Sequence, residues 1–228
     1  MNMKEKLEKI SKLSPKEATK KLFDFLIESL EKGELEPIIQ AKCAMVDARK
    51  VTTEEIGKEF TVYSHGKVEK VITLEEDTIL LTTLGKDGKP IIDEAGHYNT
   101  YDMKEKKFNK KYPNQINGHY VQDGTPMITV TLPEGVIPES GITVLPPGWG
   151  GYEGTLMSEG IIMLPFDSNM TPVELLKSYK EEGAEKLDWY PNNEASTYAP
   201  CKPNGVFLDE TLRKTFNQEN QLKKVSKK

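Results

Sequence analysis

The stretch TLEEDTILLT, residues 73–82, decides the fold, because the chain repeats it as TLMSEGIIML at residues 155–164. Thr73 aligns with Thr155, and Ile79 aligns with Ile161 without a gap. In both copies a Thr-Leu pair is followed by an acidic turn and then by an apolar run typical of a buried strand. The repetition predicts that the chain builds one strand pattern twice.

The similarity continues downstream of both copies. Each copy is followed by a variable loop, a strand containing Thr-Tyr and a short closing helix; these are the strands around Tyr101 and Tyr198 and the segments 104–112 and 209–216. Phe108 precedes Tyr112 by four positions, as Leu212 precedes Phe216, so each pair shares one face of a helical turn. The shared order of these elements predicts an internal duplication.

Helices are expected in two further places. Ser14-Pro15-Lys16-Glu17 has the pattern of a capping box and predicts a helix over about 15–32, with a weaker helix around Leu7 and Ile10 before it. Thr171-Pro172-Val173-Glu174 repeats the pattern and predicts a helix over about 172–182. The apolar stripe of the N-terminal helices has to pack on the rest of this chain or on a second molecule.

Short β-branched segments separated by Gly- and Pro-containing turns make up most of the remainder, which favours small antiparallel sheets over βαβ units. The predicted class is therefore α+β: a helical arm followed by two related small antiparallel β-rich domains. The expected segments are the arm (1–33), a first β-rich repeat (34–117), a second β-rich repeat (118–217) with an inserted helix (171–183), and a basic tail (218–228).

This pattern resembles small β-rich domains with a Pro-Gly-Asp-Tyr type turn, which occur as uncharacterised open reading frames in phages and mobile elements. The resemblance covers roughly residues 43–113 and 127–217 and is carried by short motifs. They are Glu76-Asp77 with Ile79 to Leu81, Tyr101-Asp102-Met103, Phe108 with Tyr112, Gly148-Trp149-Gly150, Glu159-Gly160, Tyr198, Cys201 and Phe216. The resemblance implies a phage or prophage setting and no particular reaction.

Charge is distributed unevenly along the chain. Residues 1–33 carry a net charge of about +2, and residues 218–228 carry about +3. Because the whole chain carries −5, residues 34–217 carry about −10. An acidic body argues against a nucleic-acid groove, which needs clustered Lys or Arg; such a groove would require the lysines of 104–111 and 213–224 to form one stripe. No apolar run is long enough to span a membrane, and MNMKEKLEKISKL lacks the apolar region of a secretory signal, so we expect a cytoplasmic protein.

The histidines and cysteines offer little support for catalysis. Asp93, Glu94, His97 and His119 include the ligand types of a zinc or iron site, but their spacing fits no helical metal motif, so no metal is predicted. Cys201 aligns with the core-type residue Met103, so we expect a buried thiol and no catalytic residue. No cofactor is predicted.

Aromatic side chains on two loops are the strongest lead to a function. Trp149 and Tyr152 lie in a glycine-rich loop, and Trp189 and Tyr190 lie in a second loop after the inserted helix. Trp and Tyr offer large contact area with a polar tip, which suits a recognition surface, although they could equally plug the end of a sheet.

We therefore expect a non-enzymatic protein that binds a partner protein, as an inhibitor of a host factor or an assembly accessory. The alternative is a small enzyme or ligand-binding protein with a pocket between the repeats, with or without dependence on a His/carboxylate metal site. The sequence leaves the oligomeric state open.

Overall fold

The computed structural model describes residues 2–64, 67–85, 87–93, 95–122, 124–146, 151, 153–158, 160–182, 189–193, 195–216 and 218. The chain divides into two compact units. The first unit comprises residues 1–41 and 126–209, and the second comprises residues 42–125 and 210–228. This division differs from the segments expected from the sequence, because the N-terminal helices and the first strand belong to the same unit as the second β-rich half.

Mixed helices and small antiparallel sheets make up both units, as expected for the α+β class. In chain order the elements are α1 (Met3–Ile10), α2 (Pro15–Glu31), β1 (Pro37–Lys42), β2 (Val46–Lys50), β3 (Glu59–Ser64), β4 (Lys67–Thr73), β5 (Thr78–Thr83), β6 (Thr100–Lys104), α3 (Glu105–Lys111), β7 (Asn114–Ile116), β8 (His119–Val121), β9 (Met127–Thr131), β10 (Ile142–Val144), β11 (Gly154–Leu156), β12 (Ile161–Pro165), α4 (Pro172–Glu182), β13 (Tyr190–Asn192), β14 (Tyr198–Pro200) and α5 (Glu210–Thr215).

The first unit is built on a five-stranded sheet in the order β13-β12-β9-β1-β14. The register pairs Ile162 with Val130 and Leu164 with Ile128, so these four side chains lie on one face of the sheet. All four are almost completely buried in the same apolar core as α1, α2 and Trp189. A separate hairpin, β10–β11, also contributes to this core through Ile142 and Leu156.

The N-terminal helices pack into this core and do not form a separate arm. Leu7, Leu22 and Leu26 are fully buried, and each such leucine stabilises the folded state by about 1.5–3 kcal/mol. Helix α2 is also linked to β10, because the backbone N–H of Leu145 donates to the Thr19 hydroxyl at 2.9 Å. The sequence left open whether the apolar stripe of these helices packs on their own chain or on a second molecule. In the structure it packs on their own chain.

The helix starts show which capping predictions are correct. At α4, the Thr171 hydroxyl accepts from the Glu174 N–H at 3.3 Å while the Glu174 carboxylate accepts from the Thr171 N–H at 2.8 Å, which is the predicted capping box. The box predicted at Ser14 is wrong. The Ser14 hydroxyl donates to the Glu17 carboxylate at 2.7 Å and makes no hydrogen bond to the helix backbone.

The second unit is built on a sheet in the order β6-β5-β2-β8-β7. One face is covered by α3 and holds an apolar cluster that includes Val46, Leu81, Met103 and Phe108. The opposite face carries Leu80, which packs in a smaller cluster with Val51 and Leu74. The two faces of this sheet therefore differ, since α3 covers the first and the Leu80 cluster lies on the second.

A two-stranded ribbon, formed by β3 and β4, lies between β2 and β5 in sequence. The inner face of the ribbon carries Phe60 and Ile72, which pack against the Leu80 cluster, and the fully buried Val62. A β-bulge interrupts the pairing after Val62, so that Tyr63 pairs with Val68. Within the described part of the chain, β3 and β4 pair as strands only with each other.

Three neighbouring strands of each five-stranded sheet follow the same order. β2 pairs with β5, and β5 with β6, while β9 pairs with β12, and β12 with β13. In sequence, the ribbon β3–β4 lies between β2 and β5, and the hairpin β10–β11 lies between β9 and β12. The Thr-Tyr strands occupy different places, because Tyr101 lies in β6 beside β5 whereas Tyr198 lies in β14 at the far edge beside β1. Helix α4 lies between β12 and β13, where the second unit has the loop of residues 84–99.

Candidate functional site

The aromatic residues expected to form a binding surface have different surroundings. Trp149 and Tyr152 lie outside the described residues. Tyr190 is half-buried in β13, and its hydroxyl lies 3.4 Å from that of Tyr198. Trp189 is fully buried, so its indole offers no area to a partner.

Trp189 is a core residue because α2 covers it. Its ring meets the ring of Phe23 edge to face, with centroids 4.7 Å apart and an interplanar angle of 68°. The indole Nε1 is buried without a hydrogen-bond partner. The prediction that Trp189 belongs to a binding loop is therefore wrong, because its side chain is buried between helix and sheet in the first unit.

His97 and Asp93 form the two ends of a tight turn in the second unit. The Asp93 carboxylate accepts from the backbone N–H groups of Ala95 and His97, both at 2.9 Å, and Gly96 adopts a φ of 85°. The imidazole Nδ1 lies 3.4 Å from Asp93 Oδ2 and makes no hydrogen bond. This carboxylate therefore serves mainly to hold the turn.

His119 and Asp47 form a separate pair on the sheet of the second unit. His119 Nδ1 lies 2.6 Å from Asp47 Oδ1, a true hydrogen-bond distance. The side chains are 31 % and 55 % exposed, respectively, so the pair is open to solvent. It lies on the sheet face opposite to the one that α3 covers, because Val46, the neighbour of Asp47, points into the α3 cluster.

The structure does not bring the two histidines together in a metal site. Among the described residues no group of three or more His, Cys, Asp and Glu side chains could hold a metal ion. Glu94 and His65 lie outside the described residues. Burial raises the pKa of the Cys201 thiol to about 11, so at neutral pH this sulfur is a protonated core atom and a poor nucleophile.

Two tyrosine hydroxyls form a polar contact beneath α3. The hydroxyls of Tyr101 and Tyr112 lie 2.5 Å apart, and the Gln122 side chain donates to the Tyr112 oxygen at 3.1 Å. Burial raises the pKa of Tyr112, so its phenol stays protonated at neutral pH. This contact satisfies buried polar groups and offers no ionised group for chemistry.

Two lysines of the stripe that nucleic-acid binding would require, Lys104 and Lys214, are engaged by acidic side chains; Lys214 pairs with Glu210 at 2.6 Å. Lys104 pairs with Glu75 and Asp77, and these hydrogen bonds lower the pKa of Asp77 and raise that of Lys104. Residues 219–224 of the proposed stripe lie outside the described part of the chain. Paired lysines contribute little to phosphate binding because their charge is already compensated.

The outer face of the ribbon is the surface that the sequence analysis missed. The register pairs Thr61 with Val71 and Tyr63 with Val68, so these four side chains share one face. Val68 and Val71 are 57 % and 54 % exposed. The ring of Tyr63 stacks on His97 with centroids 3.8 Å apart and an interplanar angle of 3°.

A sequence signal for this surface was present. The segments EFTVYS and VEKVITL carry apolar residues on both faces, whereas a strand with one solvated face alternates apolar and polar residues. Apolar residues on the second face indicate that this face is either covered or available for binding. We call the set Thr61, Tyr63, Val68 and Val71 the ribbon face.

Comparison of the chain with family models, curated proteins and solved structures finds no match. Among the helices that the structure describes, none has both the length and the apolar character required to cross a bilayer.

Proposed function

We propose that the protein acts by binding a partner protein through the ribbon face. The observation that carries this proposal is the exposure of Val68 and Val71 on one face of a two-stranded ribbon, beside Tyr63. Apolar side chains exposed singly are common, but neighbouring ones on one face of a strand pair are typical of binding surfaces.

Burial of the ribbon face alone supplies only a modest part of a binding free energy, and contacts with further residues would have to supply the rest. Covering the exposed halves of Val68 and Val71 contributes about 2 kcal/mol in total at 25 cal/mol per Å² of apolar surface. That energy corresponds to roughly a 30-fold change in dissociation constant. Tyr63 adds an aromatic ring with a polar tip, the residue type enriched at the centres of interfaces.

The ribbon is held in place before any partner arrives. Its inner face packs through Phe60 and Ile72, and Tyr63 on its outer face is fixed by stacking on His97. A surface that is already ordered loses little conformational entropy on binding, which favours affinity. A protein partner fits this apolar surface better than nucleic acid does, because the chain carries a net charge of −5.

The biological setting we propose is a phage or prophage, in which binding inhibits a host factor or assists assembly. The support for this setting is the resemblance of the Glu76-Asp77 turn, the Tyr101-Asp102-Met103 strand and the Phe108–Tyr112 helix to small phage-encoded β-rich domains.

We also propose that the two units arose by duplication, with the loops and α4 as later additions. The aligned segments around Ile79 and Ile161 fall in β5 and β12, which hold the same position in the two strand orders. In this proposal the duplicated part is β2 to β5 in the second unit and β9 to β12 in the first. The Thr-Tyr strands, β6 and β14, hold different positions and therefore diverged or arose separately.

Site-specific photocrosslinking tests the binding proposal. A photoreactive residue replaces Val71 in the full-length chain and, as a matched control, Leu208 of the first unit, which is 55 % exposed. After irradiation in host cells, we expect one defined protein adduct from position 71 and none of the same mass from position 208.

The adduct is then identified and the purified partner is used in a binding titration. The double variant Val68→Lys, Val71→Lys should weaken binding at least tenfold, whereas Leu208→Lys should leave it unchanged. Circular dichroism has to show that both variants are folded. Equal affinity of wild type and the double variant would refute the ribbon face as the binding surface.

A further inference from the structure

A row of polar side chains crosses four strands of the second unit on the face that α3 does not cover. Val46 pairs with Tyr120, and continuing this antiparallel register places Asp47 opposite His119. Asp47 pairs with Thr82, and Thr82 pairs with Thr100. Strands lie about 4.8 Å apart, so the row from His119 to Thr100 spans roughly 14 Å.

Hydrogen bonds join the row at both ends. His119 Nδ1 lies 2.6 Å from Asp47 Oδ1, and the hydroxyl oxygens of Thr82 and Thr100 lie 3.4 Å apart. Because an ionised carboxylate only accepts hydrogen bonds, the neutral imidazole carries its proton on Nδ1. The lone pair of Nε2 is then the basic position of the ring, on a side chain that is 31 % exposed.

This arrangement differs from that of the other described histidine. His97 Nδ1 is 3.4 Å from its aspartate and makes no hydrogen bond, and one face of its ring is covered by Tyr63. The Asp93 carboxylate is also engaged by two backbone N–H groups. Of the two described His–Asp pairs, Asp47–His119 has the geometry in which a carboxylate sets the tautomer of a base, and Asp93–His97 does not.

Nearby cations do not compete for Asp47 in the described contacts. Arg49, two residues along the same strand, binds the Glu55 carboxylate through both terminal nitrogens at 2.8 and 2.9 Å. The Asp47 carboxylate is thereby left to His119. Thr82 and Thr100 supply neutral hydroxyl groups that can both donate to and accept from a polar ligand.

We propose that Asp47 and His119 form a general-base pair that hydrolyses acyl esters lying along this row. His119 is the catalytic residue, and Asp47 is a positioning residue that acts through it. This activity is additional to partner binding by the ribbon face and uses different residues.

The reaction needs only water as a second reactant. His119 Nε2 takes a proton from a water molecule whose oxygen adds to the acyl carbon. The bond between the acyl carbon and the ester oxygen then breaks, and the alcohol or phenolate leaves with the electron pair. The imidazolium returns its proton to the leaving group or to solvent, so the products are the carboxylic acid and the alcohol.

Hydrolysis of p-nitrophenyl acetate by the full-length chain tests the proposal, with free 4-methylimidazole as the reference. A positioned general base contributes about 10²–10⁴-fold, so kcat/KM should exceed the second-order constant of 4-methylimidazole by at least about 100-fold. A value within a few-fold of that reference would overturn the proposal, and this comparison requires no variant.

Three variants assign the activity to residues. His119→Asn should reduce the rate to background, whereas His97→Asn should retain it. Asp47→Asn should lower kcat at least tenfold and, by ¹⁵N NMR, should shift the His119 proton away from Nδ1, a signature that a purely structural role would not produce. Retention of full activity by His119→Asn would overturn the assignment, as would an unchanged tautomer in a slowed Asp47→Asn.

Discussion

Tyr63 and His97 lie face to face, with ring centroids 3.8 Å apart and planes within 3° of parallel. Tyr63 belongs to the ribbon, and His97 belongs to the turn that Asp93 holds. The contact therefore ties the ribbon to this turn, although β4 and β5 separate Tyr63 from His97 in sequence.

Removing either ring should loosen the ribbon. We expect Tyr63→Ala and His97→Ala to show a coupling free energy of about 0.5–1.5 kcal/mol, the value typical of aromatic pairs. A double-mutant cycle from urea unfolding measures it. Additive effects of the two substitutions would mean that the stacking contributes nothing to stability.

Trp189 should behave as a core residue. Because its side chain is fully buried against Phe23, Trp189→Ala should destabilise the first unit by about 3–5 kcal/mol. Trp189→Phe should cost less, since it also removes an indole N–H that is buried without a partner. Chemical denaturation checks both values, and a loss below about 1 kcal/mol for the alanine variant would contradict the buried position.

The two predicted capping boxes give a matched pair of variants. Thr171→Ala removes a hydroxyl that accepts from the Glu174 N–H and should cost about 1 kcal/mol of stability. Ser14→Ala removes a hydroxyl that bonds only the Glu17 side chain and should change stability by less than about 0.5 kcal/mol. The urea midpoint of Thr171→Ala should therefore lie below that of Ser14→Ala. The reverse order would contradict the two capping assignments.

The hydrogen bonds between Arg49 and Glu55 should make the free energy of unfolding depend on pH, because they lower the pKa of the Glu55 carboxyl. Hydrogen bonds from Arg49 and from the Thr52 N–H lower the pKa of Glu55 from 4.5 to about 2. A carboxylate whose folded-state pKa is depressed stabilises the protein above its unfolded pKa and loses that contribution as pH falls through the folded value. The stability difference between wild type and Glu55→Gln should therefore be constant above about pH 5 and disappear towards pH 2.

Urea titrations at several pH values in low salt measure this difference, because salt screens exposed charge pairs. A pH-independent difference for Glu55→Gln would contradict the proposed linkage.

Local sequence patterns predicted several elements closely. The Pro at the first helical position and the apolar spacing of Leu22 and Leu26 predicted α2, and the β-branched run around Ile79 predicted β5. The hairpin β7–β8 also has a sequence signal, Asn117-Gly118. Both residues have positive φ, 51° and 87°, as a two-residue hairpin turn requires.

Other features depend on contacts between distant parts of the chain. Trp189 is buried because Phe23 lies against it, and the two are far apart in sequence. β1 begins at Pro37, which a strand tolerates at its first residue, but its place between β9 and β14 is set by pairing with residues near 130. The pairing of His119 with Asp47 likewise depends on strand register, which composition and spacing do not specify.

The interior position of β1, between β9 and β14, has a consequence for biosynthesis. Residues 1–41 leave the ribosome before β9 and β12, which follow only after the 84 residues of 42–125, a delay of roughly 4–17 s at 5–20 residues per second. During that interval the leucines of α1 and α2 have no sheet to cover them, while most of the second unit is already complete. Nascent chains stalled near residue 125 should therefore recruit chaperones through their amino-terminal helices.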